Sequence, residues 1–294
     1  MTHKHRQVGE LLAEARTLAS ISDSPQLDCQ LILACILDRS REWIIGHSDD
    51  QICLDQIIEF NNMMARRKQG EPIAYLLGYK DFWDLRFKVT RDTLIPRPET
   101  ELLIENILDT FDETPIVVAD FGAGSGAIAV TLASERPGWQ IIGIDINIKT
   151  LEVAKTNGTG FSNLDWVQGN WGDALAGGSL DLLICNPPYI AVSDPHLDNL
   201  CAEPRTALVS GDNGLADLKT VIQAAGHLLK ADGHLILEHG HEQQQQVCES
   251  LQASNFATIA LDDLHGNPRA VLAKKPGAAA WRAAQGNRDL RTMV

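Results

Sequence analysis

The sequence predicts an α/β chain in which a doubly wound sheet follows a small helical domain and a β-hairpin. Three observations carry this. Apolar runs of strand character alternate with helical stretches from about Ile116 to Lys274. The residues before about 78 show helical spacing instead. A glycine-rich run, Asp120-Phe121-Gly122-Ala123-Gly124-Ser125-Gly126, follows the first expected strand and opens a helix.

Taken in order, residues 1–78 read as an all-helical domain suited to recognition. Val8, Leu11, Leu12, Ala15 and Leu18 keep helical spacing, as do Leu54, Ile57, Ile58 and Met64. Ser24-Pro25 reads as a cap and first-turn proline, and Gly70 as a stop after Arg66-Arg67-Lys68. Residues 79–93 alternate (Phe82, Leu85, Phe87, Val89), which predicts a hairpin linker. The second domain covers 94–276. Its expected strands are 116–120, 140–145, 164–168, 180–185, 234–238, 256–262 and 270–274, with helices at 127–135, 149–157, 215–229 and 242–254. No good helix separates the last two strands, so one of them is expected to be antiparallel. The remainder, 277–294, has weak periodicity and is expected to be a mobile tail.

At 294 residues with 44% hydrophobic content, the chain can form two domains or one large one. No apolar run approaches the roughly 20 residues that span a bilayer, and residues 1–20 lack a signal peptide's apolar core. The expectation is a cytoplasmic protein without a membrane partner. The six cysteines form no C-x-x-C pair and read as free thiols. A formal charge of −14 argues against gripping a nucleic-acid backbone, and the short basic run 66–68 reads as a helix end.

The most informative stretch is Leu180–Cys185 running into Asn186-Pro187-Pro188-Tyr189. Prolines end the strand and hold it extended, so an Asn amide, free carbonyls and one aromatic ring stand at the sheet's carboxyl edge. An amide or exocyclic amine nitrogen is a poor nucleophile because its lone pair is delocalised. The Asn186 oxygen and the Pro187 carbonyl can each accept one N–H, fixing an NH2 group and favouring positive charge on its nitrogen. Tyr189 can lie against the planar group that carries it. The plainer alternative is a turn after a buried strand.

The glycine loop lets backbone approach a ligand at a helix amino end. Asp145 ends the next strand, where its carboxylate can accept from both hydroxyls of a ribose. With Ala127 the run also fits a dinucleotide pattern, so the glycines alone do not separate NAD from S-adenosylmethionine. Asp120 favours the latter: its negative charge suits the cationic methionine part and would repel a pyrophosphate. Asn170-Trp171 follows the third strand, where an adenine would sit; a half-buried loop tryptophan is the competing reading.

Together these residues resemble the protein N5-glutamine methyltransferases that act on peptide chain release factors (the HemK/PrmC family). The likeness runs to about Lys275 and rests on Leu94–Glu101, the glycine loop, Asn186–Tyr189, and Asp194–Leu197 with Glu203–Leu208. It implies a Rossmann-like seven-stranded S-adenosylmethionine-dependent methyltransferase domain, behind a helical domain that docks the release factor. It implies methylation of the glutamine in a Gly-Gly-Gln motif. Asp120, Gly122, Ala123, Gly124, Ser125, Gly126, Asp145, Asn170, Trp171 and Asn186 would then line the cofactor site. Asn186, Pro187, Pro188 and Tyr189 would hold the glutamine. Phe121 departs from a usual leucine and Asn170 from a common acidic residue. Asn199-Leu200-Cys201-Ala202 lacks the basic and aromatic residues often found there.

His239, His241, His3 and His5 lack a supporting ligand cluster, so no metal is expected. Glu203 could orient a loop over the cleft. The competing functions are an adenine-N6 nucleic-acid methyltransferase, a ribosomal-protein glutamine methyltransferase, and a non-catalytic binding module. Net acidity weighs against the first, Ile95–Glu101 against the second, and the intact Asn186–Tyr189 against the third.

Overall fold

The computed structural model describes residues 5–277, so the expected tail lies outside the described residues apart from Gly277. Two compact units form, one from residues up to 80 with 89–91, the other from 81–88 with 92 onwards.

In the first unit, helices Val8–Leu12, Pro25–Leu37, Arg41–Gly46, Leu54–Lys68 and Ile73–Leu77 enclose a core that includes Leu11, Ile32, Leu33, Phe60 and Met64. Pro25 starts its helix as expected, although Ser24 makes no side-chain cap. Gly70, at φ +88°, follows the helix that ends at Lys68. Contrary to the all-helical expectation, the first unit also contains paired strands. His5–Gln7 and Gln51–Cys53 pair as a short antiparallel ladder. With three residues per strand and Ile52 the one buried position, there was too little alternation to read. The basic run is also more committed than a solvated helix end. Arg66 and Arg91 both donate to Glu71, holding its carboxyl down to about 2, while Arg67 donates to Asp28 at 2.7 Å.

In the second unit the strands are β1 (Val117–Phe121), β2 (Gln140–Asp145), β3 (Leu164–Gln168), β4 (Leu180–Cys185), β5 (Leu229–Glu238), β6 (Ala257–Asp262) and β7 (Pro268–Lys274). They form one sheet in the order β6-β7-β5-β4-β1-β2-β3. β7 is antiparallel to both neighbours, and the other pairs are parallel. The one antiparallel strand is therefore the last. Helices α1 (Glu101–Thr110), α2 (Ala127–Glu135), α3 (Ile148–Asn157), α4 (Ala216–Leu228) and α5 (Gln244–Ala253) complete the unit. Alternate strand residues feed two cores. Val118, Leu182 and Ile236 pack with α1 and α2, whereas Ala119, Leu183 and Leu235 pack with α4 and α5.

The hairpin strands are Tyr79–Phe82 and Leu85–Lys88. Phe82 and Phe87 are buried in the α1–α2 core, and Trp83 donates its indole N–H to Glu135 at 2.9 Å.

Packing on β2 and β3 shapes the glycine loop. A Cβ at Gly143 would lie 2.2 Å from the Trp166 ring, and one at Gly126 would lie 2.7 Å from it. The missing side chains make room for the indole, which braces the start of α2. Gly126, the N-cap, sits at φ +84°, where a side chain would also be strained. Gly143→Ala is therefore expected to lose about 1–3 kcal/mol by overpacking. Its denaturation midpoint should fall; an unchanged midpoint would mean the ring has room to move.

Candidate active site

Parallel pairing sets Phe121 of β1 beside Cys185 of β4. The residues immediately beyond them, Gly122 and Asn186, begin the glycine loop and the Asn-Pro-Pro-Tyr stretch. The two expected motifs therefore share one carboxyl edge, at the point where strand order reverses.

Backbone amides hold the loop in place. Gly122 and Ala123 both donate to the Ile144 carbonyl at 2.9 Å, and Gly124 donates to Asp145 Oδ2 at 3.1 Å. Asp145 Oδ1 accepts from the Asn147 amide at 2.9 Å. Burial raises the Asp145 pKa, and these backbone hydrogen bonds oppose the rise. Asn147 also caps α3 by accepting from Lys149 N–H.

A cleft of about 350 Å³ opens over this edge, lined by Gly122, Gly124, Asp145, Asn170, Trp171, Asn186 and Pro188 among others. That volume falls in the usual range for small-molecule sites. The Trp171 ring lies over Gly122, where a Cβ would come 3.6 Å from it. A second cavity of about 260 Å³ is lined by Arg97, Asn186, Pro187, Tyr189 and Leu200 among others. Leu94, Asn186 and Ala207 belong to both walls.

Four of the sequence-predicted cofactor residues do not line the larger cleft. Asp120 is 1% exposed; its Oδ2 accepts from Ala129 N–H at 3.2 Å, while Oδ1 is buried without a partner. Burial pushes its carboxyl up to about 7. A carboxylate turned inwards in this way does not present the full negative charge expected of it at a ligand. Ala123, Ser125 and Gly126 shape the loop from behind, and the Ser125 carbonyl accepts from Asn157 Nδ2 at 2.8 Å.

Sequence reasoning passes over Asp217, Thr150 and Glu238, whereas Thr100 belongs to the Leu94–Glu101 stretch it marks. Asp217 lines the larger cleft and accepts from Ser210 Oγ at 2.6 Å. In sequence it is simply an acid at a helix start. Thr150 also lines the cleft and donates to the Asp92 carbonyl at 2.7 Å. Thr100 and Glu238 lie behind Asn186. Asn186 Nδ2 donates to Thr100 Oγ1 at 3.2 Å, and Thr100 donates to Glu238 Oε2 at 2.8 Å. Tyr189 donates its hydroxyl to Glu238 Oε1 at 3.2 Å, and burial raises the tyrosine's pKa.

The loop after Tyr189 returns across the cleft. Ile190–Ala191 pairs in parallel with Val209–Ser210, and Pro204, Thr206 and Ala207 reach the larger cavity. Glu203 is buried and ties this loop to the Leu94–Glu101 segment. It accepts from Ile95 N–H at 3.1 Å and from the Arg97 guanidinium. Among the described residues, no three His, Cys, Asp or Glu side chains cluster as metal ligands. No helix among them is long and apolar enough to cross a membrane.

The donor set fits S-adenosylmethionine: an acceptor pair at Asp145, a flat indole at Trp171 and close backbone at Gly122 and Gly124. The sheet order and this cleft define an S-adenosylmethionine-dependent methyltransferase. Comparison with known proteins agrees. A methyltransferase domain family matches residues 113–289, and the PrmC N-terminal domain family matches residues 10–78. The chain is 38% identical to the release factor glutamine methyltransferase of Coxiella burnetii, over 89% of this chain and 96% of that protein. It is 36% identical to the one from Escherichia coli, over 90% and 97%. A solved methyltransferase structure from Pyrococcus furiosus shares the fold, with a TM-score of 0.52 at 17% identity, over 74% of this chain and 99% of that one. The chain belongs to the release factor glutamine methyltransferase family.

Glu203→Ala would leave the Ile95 amide and the Arg97 guanidinium without their acceptor. Losing a buried acceptor of this kind costs about 1–3 kcal/mol. Hydrogen exchange should quicken at residues 94–97 and 203–208, while the β1–β4 core keeps its protection. Unchanged exchange at Ile95 would show that Glu203 does not hold the segment.

Proposed function

We propose that this protein methylates the side-chain amide nitrogen of the glutamine in the Gly-Gly-Gln motif of peptide chain release factors. One observation carries the proposal most: Asn186 lies on the wall common to two adjoining cavities. The larger suits the cofactor, with Asp145 on the ribose and Trp171 beside the adenine. The narrower suits an amide side chain. When bound, S-adenosylmethionine supplies an electrophilic methyl group on a positively charged sulfur.

The chain's own residues prepare the amide. Asn186 Oδ1 and the Pro187 carbonyl accept the two hydrogens of the glutamine NH2 and aim its nitrogen across the shared wall. Their partial negative charges favour the positive charge that grows on nitrogen as its lone pair is drawn out of the amide. Tyr189, on the wall of the smaller cavity, confines the amide plane, while Pro188 faces the larger one. A methylated amide nitrogen bearing positive charge is strongly acidic and gives its proton to water, so no dedicated base is required. The first unit contributes docking of the release factor, and the protein works in the cytoplasm.

The adenine-N6 alternative would use the same clamp. A formal charge of −14 weighs against a nucleic-acid partner. Family membership weighs against a ribosomal protein as substrate.

The test is methyl transfer from isotope-labelled S-adenosylmethionine to an intact release factor, with mass spectrometry to locate the label. The label is expected on the glutamine of Gly-Gly-Gln, and Asn186→Ala should slow transfer about 10²–10³-fold. Label on DNA, or none on glutamine, would overturn the proposal. Full-rate transfer by Asn186→Ala would remove the clamp from it.

A further inference from the structure

An asparagine amide can present either its oxygen or its NH2 to a ligand. Only the oxygen helps a substrate NH2, so something has to choose. We propose that Thr100 and Glu238 are positioning residues that turn the Asn186 amide so that Oδ1 faces the acceptor glutamine. The inference rests on the function proposed above.

The choice follows from counting protons. Glu238 ends β5 and is 1% exposed. An ionised carboxylate can only accept hydrogen bonds. Thr100 and Tyr189 each have one hydroxyl proton, and both stand as donors to Glu238, at 2.8 and 3.2 Å. With its proton committed, Thr100 has only lone pairs to offer Asn186. The Asn186 NH2 is therefore drawn to Thr100, at 3.2 Å, and Oδ1 is turned away from it. A valine at position 100 would remove the instruction. The preceding β5 residues, Leu235, Ile236 and Leu237, are apolar and fully buried. A buried carboxylate here is costly unless hydrogen-bonded, and these hydroxyls provide the bonds.

Protonation of Glu238 would reverse the instruction. A carboxylic acid can donate to Thr100, which frees the threonine proton to point at Asn186 and draws Oδ1 inwards. The charged groups around Glu238 are Arg269 of β7, which favours the ionised form, and Glu99, which opposes it. Arg97 acts on Tyr189, the Cys185 thiol of β4 feels the Glu238 charge, and burial lowers the pKa of neighbouring His239. Burial dominates and raises Glu238 to about 7. The orienting form is therefore complete above that pH and is lost as pH falls through it.

The experiment measures methyl transfer to an intact release factor at saturating concentrations, from about pH 5.5 to 8.5. It compares the wild type with Thr100→Val, Thr100→Ser and Glu238→Gln. Calorimetric S-adenosylmethionine affinity verifies that each variant is folded. Thr100→Val should lose roughly 10–100-fold in kcat, the scale seen when a hydrogen-bond partner that orients a metal ligand is removed, without a matching loss of cofactor affinity. Thr100→Ser should recover most of that loss. The wild-type kcat should fall below about pH 7, and Glu238→Gln should lack this limb. Wild-type turnover by Thr100→Val would overturn the inference and leave the proposed function standing.

A second readout does not depend on activity. The 15N resonance of the Asn186 side chain should shift as pH crosses about 7 in the wild type and stay flat in Glu238→Gln. A flat wild-type resonance overturns the relay. If the wild type fails to methylate the release factor, the proposed function falls and this resonance alone decides the orientation.

Discussion

Everything at the site depends on the pairing of β1 with β4. Phe121 lies beside Cys185, and the Cys185 thiol donates to the Phe121 carbonyl at 3.1 Å. A parallel ladder allows no slip by a single residue, because every side chain would change faces. Val118 and Leu182 would then leave the α1–α2 core, and Ala119 and Leu183 would leave the other. Burial of both faces thus fixes the register of β1 against β4, so their ends lie level. That in turn sets a glycine loop and an asparagine amide side by side at the carboxyl edge. The hydrophobic core thus places the two loops side by side, and hydrogen bonds such as Asn186 to Thr100 then orient the side chains within them.

Charge is distributed around this edge with care. Asp145 keeps two backbone donors and remains at the cleft wall, whereas Asp120 lies below the loop with one oxygen unpartnered. Of these two acids, only Asp145 lines the cleft. Glu238 and Glu203 are likewise buried, but each meets hydroxyl, amide or guanidinium donors. In their ionised forms these carboxylates are acceptors that tie neighbouring segments together.

Much of this was legible in the sequence because its signals are local. Apolar periodicity located the seven strands of the sheet to within a few residues, the largest difference being the earlier start of β5 at Leu229. The glycine run and the paired prolines marked the two loops at the edge. What escaped has no local signature. The Thr100–Glu238 bond spans 138 residues, and the Ile95–Glu203 bond spans 108. Asp120 was visible as an acid at a strand end, but the direction of its side chain depends on the α2 amide it meets. The ladder at Gln51–Cys53 was too short for period-two alternation to emerge.

Trp166 gives the glycine loop a mechanical dependence on the edge of the sheet. It belongs to β3, the terminal strand beyond β2, yet its ring fills the spaces left at Gly143 and Gly126. Edge strands have one neighbour and open at lower free energy than central ones. When β3 frays, the indole leaves with it, and the start of α2 loses its brace. Order at the start of α2 therefore depends on β3 staying paired with β2 as well as on the β1–β4 ladder. A ligand that needs the loop formed would in turn protect β3 from exchange without touching it, so the rim of the sheet reports on occupancy of the cleft.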